Sequence, residues 1–348
     1  MEIYNNMSED ELIDFLKSIG EKPYRGKQFF EAIHKNQVNS VDEITTFSKK
    51  LREKLKSKGE IQKLEILDIL SSKLDETKKF ILECWDGNII EAVYMESHTY
   101  TTLCISTQIG CKMGCVFCAS TKERFSRNLE TYEMVDQIYT VANHLGKRID
   151  NLVLMGIGEP LDNYDNVIKF IRTITDKKGY DLSVRAITLS TCGIVPKIYQ
   201  LADENIPINI AISLHNPFNE ERKKIMPMGK KYSIDEILDA TDYFFSKTGR
   251  RISFEYTLIE NVNDSKKYSD QIIRLLKGKN VFVNLISLNE IEEYKEKALD
   301  MEKSKAFRDR LNHAGIQASI RRKQGQDIEG ACGQLRSKYI NSERSGSK

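Results

Sequence analysis

The stretch "CISTQIGCKMGCVFCAS", residues 104–120, holds four of the seven cysteines of the chain. Three of them, Cys111, Cys115 and Cys118, have the spacing C-x3-C-x2-C and follow a predicted strand over residues 101–106. Gly110 and Gly114 permit the tight backbone turns that would bring three thiolates together. Three thiolates leave one iron of a four-iron cluster open to another ligand. The spacing therefore predicts an iron–sulfur site on a loop.

Zinc is the main alternative for this triplet. Structural zinc sites with four cysteines usually combine two separated, short-spaced pairs. The sequence has one tight triplet, with Cys104 upstream of it, and its five histidines are scattered. A buried-core role is a poor explanation too, because small apolar residues do not need glycine-flanked thiols on a loop. Both arguments favour iron.

Length and charge set broad limits. The 348 residues are enough for one large α/β domain and a smaller one. The N-terminus "MEIYNNMSEDE" does not resemble a signal or transit peptide, and no apolar run approaches the roughly 18 residues of a membrane span. We therefore expect a cytoplasmic protein, in which crowded cysteines indicate metal binding or catalysis rather than disulfides.

Net charge is only +2, with 53 basic and 51 acidic side chains, so the overall balance does not demand a nucleic-acid partner. Local clusters of basic residues could still form a phosphate-binding surface. Taken alone, such clusters are more often solvated helix ends and loops. The clusters are Lys122, Arg124 and Arg127; Arg222, Lys223, Lys224, Lys230 and Lys231; and Arg321, Arg322, Lys323, Arg336 and Lys338.

The first part of the chain, residues 1–95, reads as an accessory region. Residues 8–60 have helical periodicity and begin with a possible capping box of Ser8 and Glu11. The apolar runs "KFILECW" and "IIEAVYM" flank "DGN", which predicts a β-hairpin.

From about residue 100 the pattern becomes strand–helix–strand. This alternation predicts a parallel sheet in an α/β fold, as a partial TIM-like (β/α)6 barrel, with a doubly wound sheet as the alternative. Either fold gathers chemistry at the carboxyl ends of its strands. We divide the chain into residues 1–95, a barrel core at 96–300 and a C-terminal part at 301–348 with a frayed tail. Strands are predicted at 101–106, 152–157, 186–191, 208–214, 252–259, 281–288 and 316–322, and helices near 131–146, 166–176, 195–204, 233–248, 266–277 and 302–314.

A second motif, "MGIGEP" at 155–160, ends the second of these strands. Glu159 can accept hydrogen bonds from an ammonium group, and Gly156 and Gly158 admit a close backbone approach. Together with the cysteine triplet, this motif resembles the radical S-adenosylmethionine (SAM) superfamily. The resemblance implies one [4Fe-4S] cluster on Cys111, Cys115 and Cys118, whose open iron is chelated by SAM and whose electron cleaves SAM to a 5′-deoxyadenosyl radical.

Further motifs narrow the resemblance. "ACGQL" (331–335) after "RRKQGQDIEG", "LSTCGIVP" (189–196), "AISLHNP" (211–217) and "YRGKQ" (24–28) are similar to radical SAM RNA adenine methyltransferases. The branch that resembles the chain most is the RlmN family, which methylates adenine C2 in 23S ribosomal RNA and in some transfer RNAs. Two alternatives stay open: the Cfr-like relatives that methylate C8 and give antibiotic resistance, and a non-catalytic iron–sulfur or zinc module that binds RNA.

The resemblance also implies roles for single residues. Cys332 takes a methyl group from one SAM, a second SAM is cleaved, and the resulting methylene radical on Cys332 adds to adenine C2. Glu91 accepts the C2 proton, and Cys104 releases the product by forming a transient disulfide with Cys332. The implied SAM contacts are Gly158, Glu159, Ser190, Ser213, Leu214, His215 and Asn289.

The expected partners are 23S ribosomal RNA, transfer RNA and an electron donor of the flavodoxin type, with no membrane and a monomeric state. We interpret Cys84 and Cys192 as structural. The chain departs from the family pattern at Arg124, where many relatives have glycine, and in "NLISLNEIEEY", which lacks a proline. Both departures affect expected RNA contacts and loop shape rather than the chemistry.

Overall fold

A ten-stranded sheet is the centre of the computed structural model, which describes residues 1–336. The strands are β1 (Glu2–Ile3), β2 (Gly59–Glu60), β3 (Glu65–Ser71), β4 (Lys78–Glu83), β5 (Ile89–Glu96), β6 (Thr101–Cys104), β7 (Gln108–Ile109), β8 (Arg127–Asn128), β9 (Asn151–Leu154), β10 (Ile187–Thr191), β11 (Asn209–Ser213), β12 (Ile252–Leu258), β13 (Val281–Ser287) and β14 (Gln317–Ile320). The α-helices are α1 (Glu9–Ser18), α2 (Pro23–His34), α3 (Lys49–Lys56), α4 (Thr131–Leu145), α5 (Tyr164–Thr175), α6 (Val195–Asp203), α7 (Asn219–Ile225), α8 (Ile234–Thr248), α9 (Lys266–Leu276) and α10 (Met301–His313). Lys338 and the tail predicted to fray lie outside the described residues.

The strand order of the sheet is β14-β13-β12-β11-β10-β9-β6-β5-β4-β3. From β6 to β14 every neighbouring pair is parallel, whereas β3, β4 and β5 extend the sheet as antiparallel strands. The parallel strands follow one another in chain order, so right-handed crossovers place the connecting helices on one side of the sheet. A doubly wound sheet would need a reversal of strand order. The predicted α/β class with a partial barrel is confirmed.

The helices and strands of the parallel part agree with the periodicity predictions to within a few residues. Apolar residues of the sheet and of α4, α5, α6, α8, α9 and α10 form one large core that includes Leu152, Leu189, Ile210, Phe254 and Val283. The predicted hairpin is also confirmed, since β4 and β5 pair antiparallel around the turn at 84–88. It continues the sheet through β5, which pairs with β6.

Besides the two-residue strands β1, β2, β7 and β8, strand β3 and helix α7 were not predicted. β3 pairs with β4 through a register shift between Ile66 and Asp68, which interrupts the alternation that identifies a strand. The short helix α7 follows β11 and has the highly charged sequence "NEERKKI". Its charges look like a solvated loop, although two of its residues are buried.

The N-terminal helices α1, α2 and α3 have a core of their own. It contains Tyr4, Leu12, Phe29 and Leu55 among others, and the Tyr4 hydroxyl donates to the Leu55 carbonyl at 2.7 Å. The predicted capping box is present, with the Ser8 side chain accepting from the Glu11 amide. The helical periodicity predicted up to residue 60 does not persist to its end. α3 ends at Lys56, and Gly59 pairs with Glu2 in a small parallel sheet.

The carboxyl ends of the parallel strands all lie at one edge of the sheet, where a barrel presents its functional groups. The loops that follow β6, β9, β10, β11, β13 and β14 carry the residues discussed below. Among residues 1–336 no helix is both long and apolar enough to cross a membrane.

Candidate functional site

The cysteine loop, residues 110–122, follows β6 and turns on two glycines in the left-handed region. Gly110 has φ +71° and Gly114 has φ +75°. A Cβ atom on Gly110 would lie 2.5 Å from the Arg124 carbonyl oxygen, so no other residue fits at that position. Tight turns at these glycines direct the three thiols of the triplet into one cavity.

This first cavity encloses about 940 Å³ up to its open mouth. Its wall combines the cysteine loop with residues from the carboxyl ends of β9, β10, β11, β12 and β13. A single cavity touching so many adjacent strands requires a strongly curved sheet.

The thiols of the triplet suit a metal cluster better than they suit free cysteines. Burial raises the pKa of the Cys111 thiol to about 12 and raises the pKa values of Cys115 and Cys118 as well. Without metal these groups are neutral thiols, and iron would displace their protons. No group of three or more His, Cys, Asp or Glu side chains in the described part of the chain could hold a metal ion. A four-iron cluster is larger than one ion, so its ligands need not converge on one point. Three soft thiol donors around one cavity fit such a cluster.

Most of the expected SAM contacts lie in the wall of the first cavity. These are Gly158, Glu159, Ser190, Ser213, His215 and Asn289. Gly158 has φ +112°, and a Cβ atom there would lie 2.7 Å from Gln108 Cβ. Leu214 does not line the cavity. Its amide donates to the Glu255 carbonyl at 3.0 Å, so it acts in the structure through its backbone.

The Glu159 carboxylate is held in place by two backbone amides. The Leu161 amide donates to Oε1 at 3.1 Å and the Cys192 amide donates to Oε2 at 2.8 Å. Burial raises the pKa of Glu159, while these hydrogen bonds lower it. Each oxygen can accept a further hydrogen bond, so the carboxylate could still receive an ammonium group.

The imidazole ring of His215 is held in one neutral tautomer, in which it can donate a hydrogen bond. Its backbone has φ +48°, a left-handed conformation that is uncommon outside glycine. Nδ1 accepts from the Thr257 amide at 3.0 Å, so the proton of the neutral ring must be on Nε2. Burial lowers the pKa of His215 to about 3, with a smaller contribution from Arg222. The ring also contacts Phe117 edge-on, with 4.8 Å between centroids.

Cys332 lies between two cavities. It lines the first cavity and also a second one, of about 530 Å³ when the space open to solvent is included, whose wall contains Cys104. The residues that line both are Met155, Ile286, Ser287, Asn289, Arg321 and Cys332. Asn289 Nδ2 donates to the Cys332 carbonyl at 3.0 Å. Burial raises the pKa of the Cys104 thiol to about 12, charge on Cys332 adds to that, and Arg321 opposes it.

The C-terminal segment, residues 321–336, is attached to the cysteine loop. The Ala119 amide donates to the Gly333 carbonyl at 2.7 Å, and Ser120 Oγ donates to the Leu335 carbonyl at 2.7 Å. The loop that would hold a cluster therefore also determines where Cys332 lies.

Glu91 is on the same side of the sheet as Cys104 but lines neither cavity. The residue is 5% exposed, and its Oε1 pairs with Lys79 Nζ at 3.1 Å. Oε2 accepts from the Arg336 amide at 2.9 Å, which anchors the C-terminal segment. Burial raises the pKa of Glu91, although Lys79 and the Arg336 amide lower it.

Sequence reasoning missed two charged residues at the site. Glu255 on β12 is 5% exposed, lines the first cavity and accepts from Asn284 Nδ2 at 3.0 Å. Arg321, which follows β14, lines both cavities, and charge on Cys332 is the main reason that its pKa is raised. The available signals were an acid inside the apolar run "ISFEYTL" and an arginine at a strand end.

The structure also corrects the prediction that the clusters of basic residues could form a phosphate-binding surface. Arg222 has no exposed surface and Arg336 is 6% exposed, so neither can contact RNA phosphates. Arg127 is bound to Glu133 and Asp86. Lys224, Lys230 and Lys231 are exposed. Cys192 lines the first cavity, whereas Cys84 lies in the main core.

Two family models match the chain. The Radical SAM superfamily model matches residues 105–269, and the model of the ribosomal RNA large subunit methyltransferase N-terminal domain matches residues 4–61. Two curated relatives are each named "Probable dual-specificity RNA methyltransferase RlmN". One, from Finegoldia magna (strain ATCC 29328 / DSM 20472 / WAL 2508), is 59% identical over 334 residues, which are 96% of this chain and 96% of the relative. The other, from Clostridioides difficile (strain 630), is 49% identical over 337 residues, 97% of this chain and 98% of the relative.

A solved structure agrees with the family models. The crystal structure of a radical SAM methyltransferase from Sphaerobacter thermophilus has a TM-score of 0.92 and 35% sequence identity, and it covers 97% of this chain and 100% of that one. The similarity therefore includes the N-terminal helices and the C-terminal segment as well as the barrel.

Proposed function

The chain belongs to the RlmN family of the radical SAM superfamily, and on this premise we propose that it methylates C2 of an adenosine in 23S ribosomal RNA and in transfer RNA. The observation that carries the proposal is the position of Cys332. It is shared by a cavity containing the cysteine triplet and a cavity containing Cys104. A thiol in that position can receive a group on one side and deliver it on the other.

We assign one [4Fe-4S] cluster to Cys111, Cys115 and Cys118, and SAM to the rest of the first cavity, with two SAM molecules used per turnover. When bound, these groups supply the methyl carbon and the 5′-deoxyadenosyl radical. Gly158 has no side chain and lets SAM approach the protein backbone closely. The Glu159 carboxylate accepts hydrogen bonds from the ammonium group of SAM. His215 offers its Nε2–H as a donor. Ser190, Ser213, Leu214 and Asn289 complete the proposed contacts.

Cys332 is the proposed methyl carrier. Adenine C2 is an electron-poor sp2 carbon without a lone pair, so it cannot attack a sulfonium methyl group. A cysteine thiolate can, by simple displacement. The methyl group moves to the Cys332 sulfur with its carbon and all three hydrogens, and the product is a thioether. Asn289 holds the carbonyl of Cys332 and so fixes the loop from which the sulfur projects.

The second cavity is the proposed receptor for the target adenine, which must leave its stack to enter. Met95, Met155 and Leu335 provide an apolar lining. The Arg321 guanidinium can donate hydrogen bonds to the ring nitrogens of adenine. After carbon–carbon bond formation, the radical adduct would have to return one electron, of the kind that a [4Fe-4S] cluster can take up, and Glu91 would accept the C2 proton. Cys104 then attacks the Cys332 sulfur, the sulfur–carbon bond breaks, and the released carbon takes a proton to become the methyl group. The resulting disulfide requires reduction.

Replacing Glu91 with glutamine tests its proposed role. E91Q should still bind iron and methylate Cys332, but product release should slow by about 10²-fold or more, because a general base typically contributes that much. The covalent RNA–protein species should accumulate on denaturing gels. E83Q on neighbouring β4 is the control. If E91Q instead fails to methylate Cys332 and forms no adduct, Glu91 only anchors the C-terminal segment through Arg336.

The half-buried Lys223 and the exposed Lys224 of α7 are a proposed RNA contact, because they lie at the edge of the sheet that holds the site. The double variant K223A/K224A should weaken RNA binding and reduce the salt slope of log K by roughly 1.4–1.8, the loss expected for two phosphate contacts. Lys223 also pairs with Glu220, which tempers its contribution. K277A/K279A, which precedes β13 at the opposite edge, is the control. Equal slopes for both double variants would remove α7 from the RNA surface.

The remaining partners follow from the same premise. The proposed electron donor is a flavodoxin-type protein, the proposed state is a monomer, and the proposed location is the cytoplasm, where seven unpaired cysteines stay reduced.

One reaction tests the proposed function. Protein with a reconstituted cluster is incubated without oxygen with SAM, a flavodoxin-type reductant and a protein-free ribosomal RNA fragment, and the digested RNA is compared with 2- and 8-methyladenosine standards by mass spectrometry. 2-Methyladenosine is the expected product. 8-Methyladenosine would contradict the assigned carbon. RNA binding without any methylation or SAM cleavage would favour a non-catalytic RNA-binding module.

A further inference from the structure

Arg222 on α7 is a fully buried cation that forms no ion pair with a carboxylate among residues 1–336. Its guanidinium donates to three neutral carbonyl oxygens: Nε to Leu214 at 3.2 Å, and Nη2 to Cys192 at 2.8 Å and Ser213 at 3.0 Å. Nη1 is buried and has no hydrogen-bond partner anywhere in residues 1–336. Carbonyl oxygens satisfy donors but do not neutralise a charge, so the buried cation needs an anion from elsewhere.

The nearby groups that can become anionic are the thiols of Cys192 and Cys115 and the Glu159 carboxylate, which accepts from the Cys192 amide and forms no ion pair with Arg222 in residues 1–336. Burial lowers the pKa of Arg222, whereas negative charge on Cys192 and Cys115 raises it. Cys115 packs in one apolar cluster with Cys192, whose carbonyl accepts from Arg222 Nη2 at 2.8 Å. Cys115 belongs to the triplet proposed to hold the cluster. Bound iron would make its sulfur a permanent thiolate, and that thiolate would supply the missing negative charge.

Packing places α7 directly against the cysteine loop. The Val116 amide donates to the Ile225 carbonyl at 3.0 Å. A Cβ atom on Gly114 would lie 3.3 Å from Pro227 Cγ, just after the helix. Met226 packs in one apolar cluster with the cysteine loop. Arg222 is therefore held by the same short helix that supports the loop.

We propose that Arg222 is a positioning residue for the cluster: its charge balances the thiolates of the cysteine loop and raises the one-electron reduction potential of the bound cluster. The inference rests on the proposed function only through the assignment of the cluster to Cys111, Cys115 and Cys118. In the reduction, the cluster gains one electron from a low-potential one-electron donor, and no bond forms or breaks. The added negative charge is stabilised by a fixed cation in a poorly hydrated site.

The test is the midpoint potential of the cluster in the full-length protein. R222Q removes the charge, R222K keeps it with a different donor geometry, and K224Q removes an exposed charge from the same helix. Each protein is reconstituted anaerobically, its iron and sulfide are quantified, and the reduced fraction is followed by electron paramagnetic resonance during a dithionite titration. In R222Q the ratio of reduced to oxidised cluster at a given potential should fall at least tenfold, which is about 59 mV for one electron. K224Q should match the wild type, and R222K should stay within about threefold of it.

Two results would overturn the inference. An unchanged midpoint potential in fully loaded R222Q would mean that Arg222 only connects the turns after β10 and β11 through its hydrogen bonds. Equal falls in R222Q and R222K would show that hydrogen-bond geometry, not charge, sets the potential. If R222Q does not load iron, R222K decides alone: an unchanged ratio supports the role of charge, and a tenfold fall contradicts it. The titration contains no RNA, so only failure of the wild type to form a cluster would count against the proposed function itself.

Discussion

The C332A variant is expected to lose RNA methylation completely while still binding iron and SAM. Cys332 lines both cavities, whereas Cys104 lines only the second and Cys192 only the first. No other cysteine among residues 1–336 can therefore receive a methyl group beside the triplet and present it to a base beside Cys104. Side-chain removal at Cys332 leaves the cavity walls intact, so the binding of ligands should survive.

Methylated nucleosides, iron content and 5′-deoxyadenosine should be measured on the same C332A preparation. C84A is the matched control, because Cys84 is a buried cysteine of the main core that lines neither cavity. We expect C84A to methylate RNA and to lose only some stability, by about 1 kcal/mol. RNA methylation by C332A at the wild-type rate would refute the role of Cys332 as methyl carrier. Unchanged biological function without any methylation would favour an RNA-binding module.

The C104A variant is expected to stop one stage later, with RNA covalently attached to the protein. Cys104 lines the second cavity together with Cys332, and burial raises the pKa of its thiol to about 12. A buried neutral thiol is unreactive until it loses its proton, so Cys104 should not react during the earlier steps. Without it, no group is assigned to break the bond between Cys332 and the methylated base.

The adduct should appear as a slowly migrating band on a denaturing gel with end-labelled RNA. After nuclease and protease digestion, mass spectrometry should locate the nucleotide on the peptide that contains Cys332. The double variant C104A/C332A should give no adduct, which shows that the attachment needs the Cys332 sulfur. Normal multiple turnover by C104A, or attachment at another residue, would contradict the assigned exchange between the two cysteines.

Much of this fold was predictable because its signals are local. Each strand of the parallel sheet is a short apolar run, and each connecting helix has a regular apolar face. The glycines next to Cys111 and Cys115 indicate tight turns. The cysteine triplet and the Gly-Glu-Pro motif lie within single loops. Local spacing is therefore enough to bring their residues into one cavity.

Arg222 and Arg321 were not predictable in the same way. Both stand in basic runs that resemble solvated surface, and only the packing of α7 and the end of β14 brings them into the interior. Glu255 gave a weak signal, but its proximity to Arg321 depends on the register of three strands that are distant in sequence. The Glu91 contact with the Arg336 amide spans most of the chain and has no local signature.

The most direct test of the central claim, that Cys332 carries the methyl carbon and delivers it as a radical, uses SAM with a fully deuterated methyl group. Wild-type protein is incubated anaerobically through several turnovers, and the methyladenosine and 5′-deoxyadenosine are analysed by mass spectrometry. The account predicts a methyl group with two deuterium atoms and one hydrogen, and one deuterium in 5′-deoxyadenosine. A methyl group that keeps all three deuterium atoms would show direct transfer from SAM and would contradict the account.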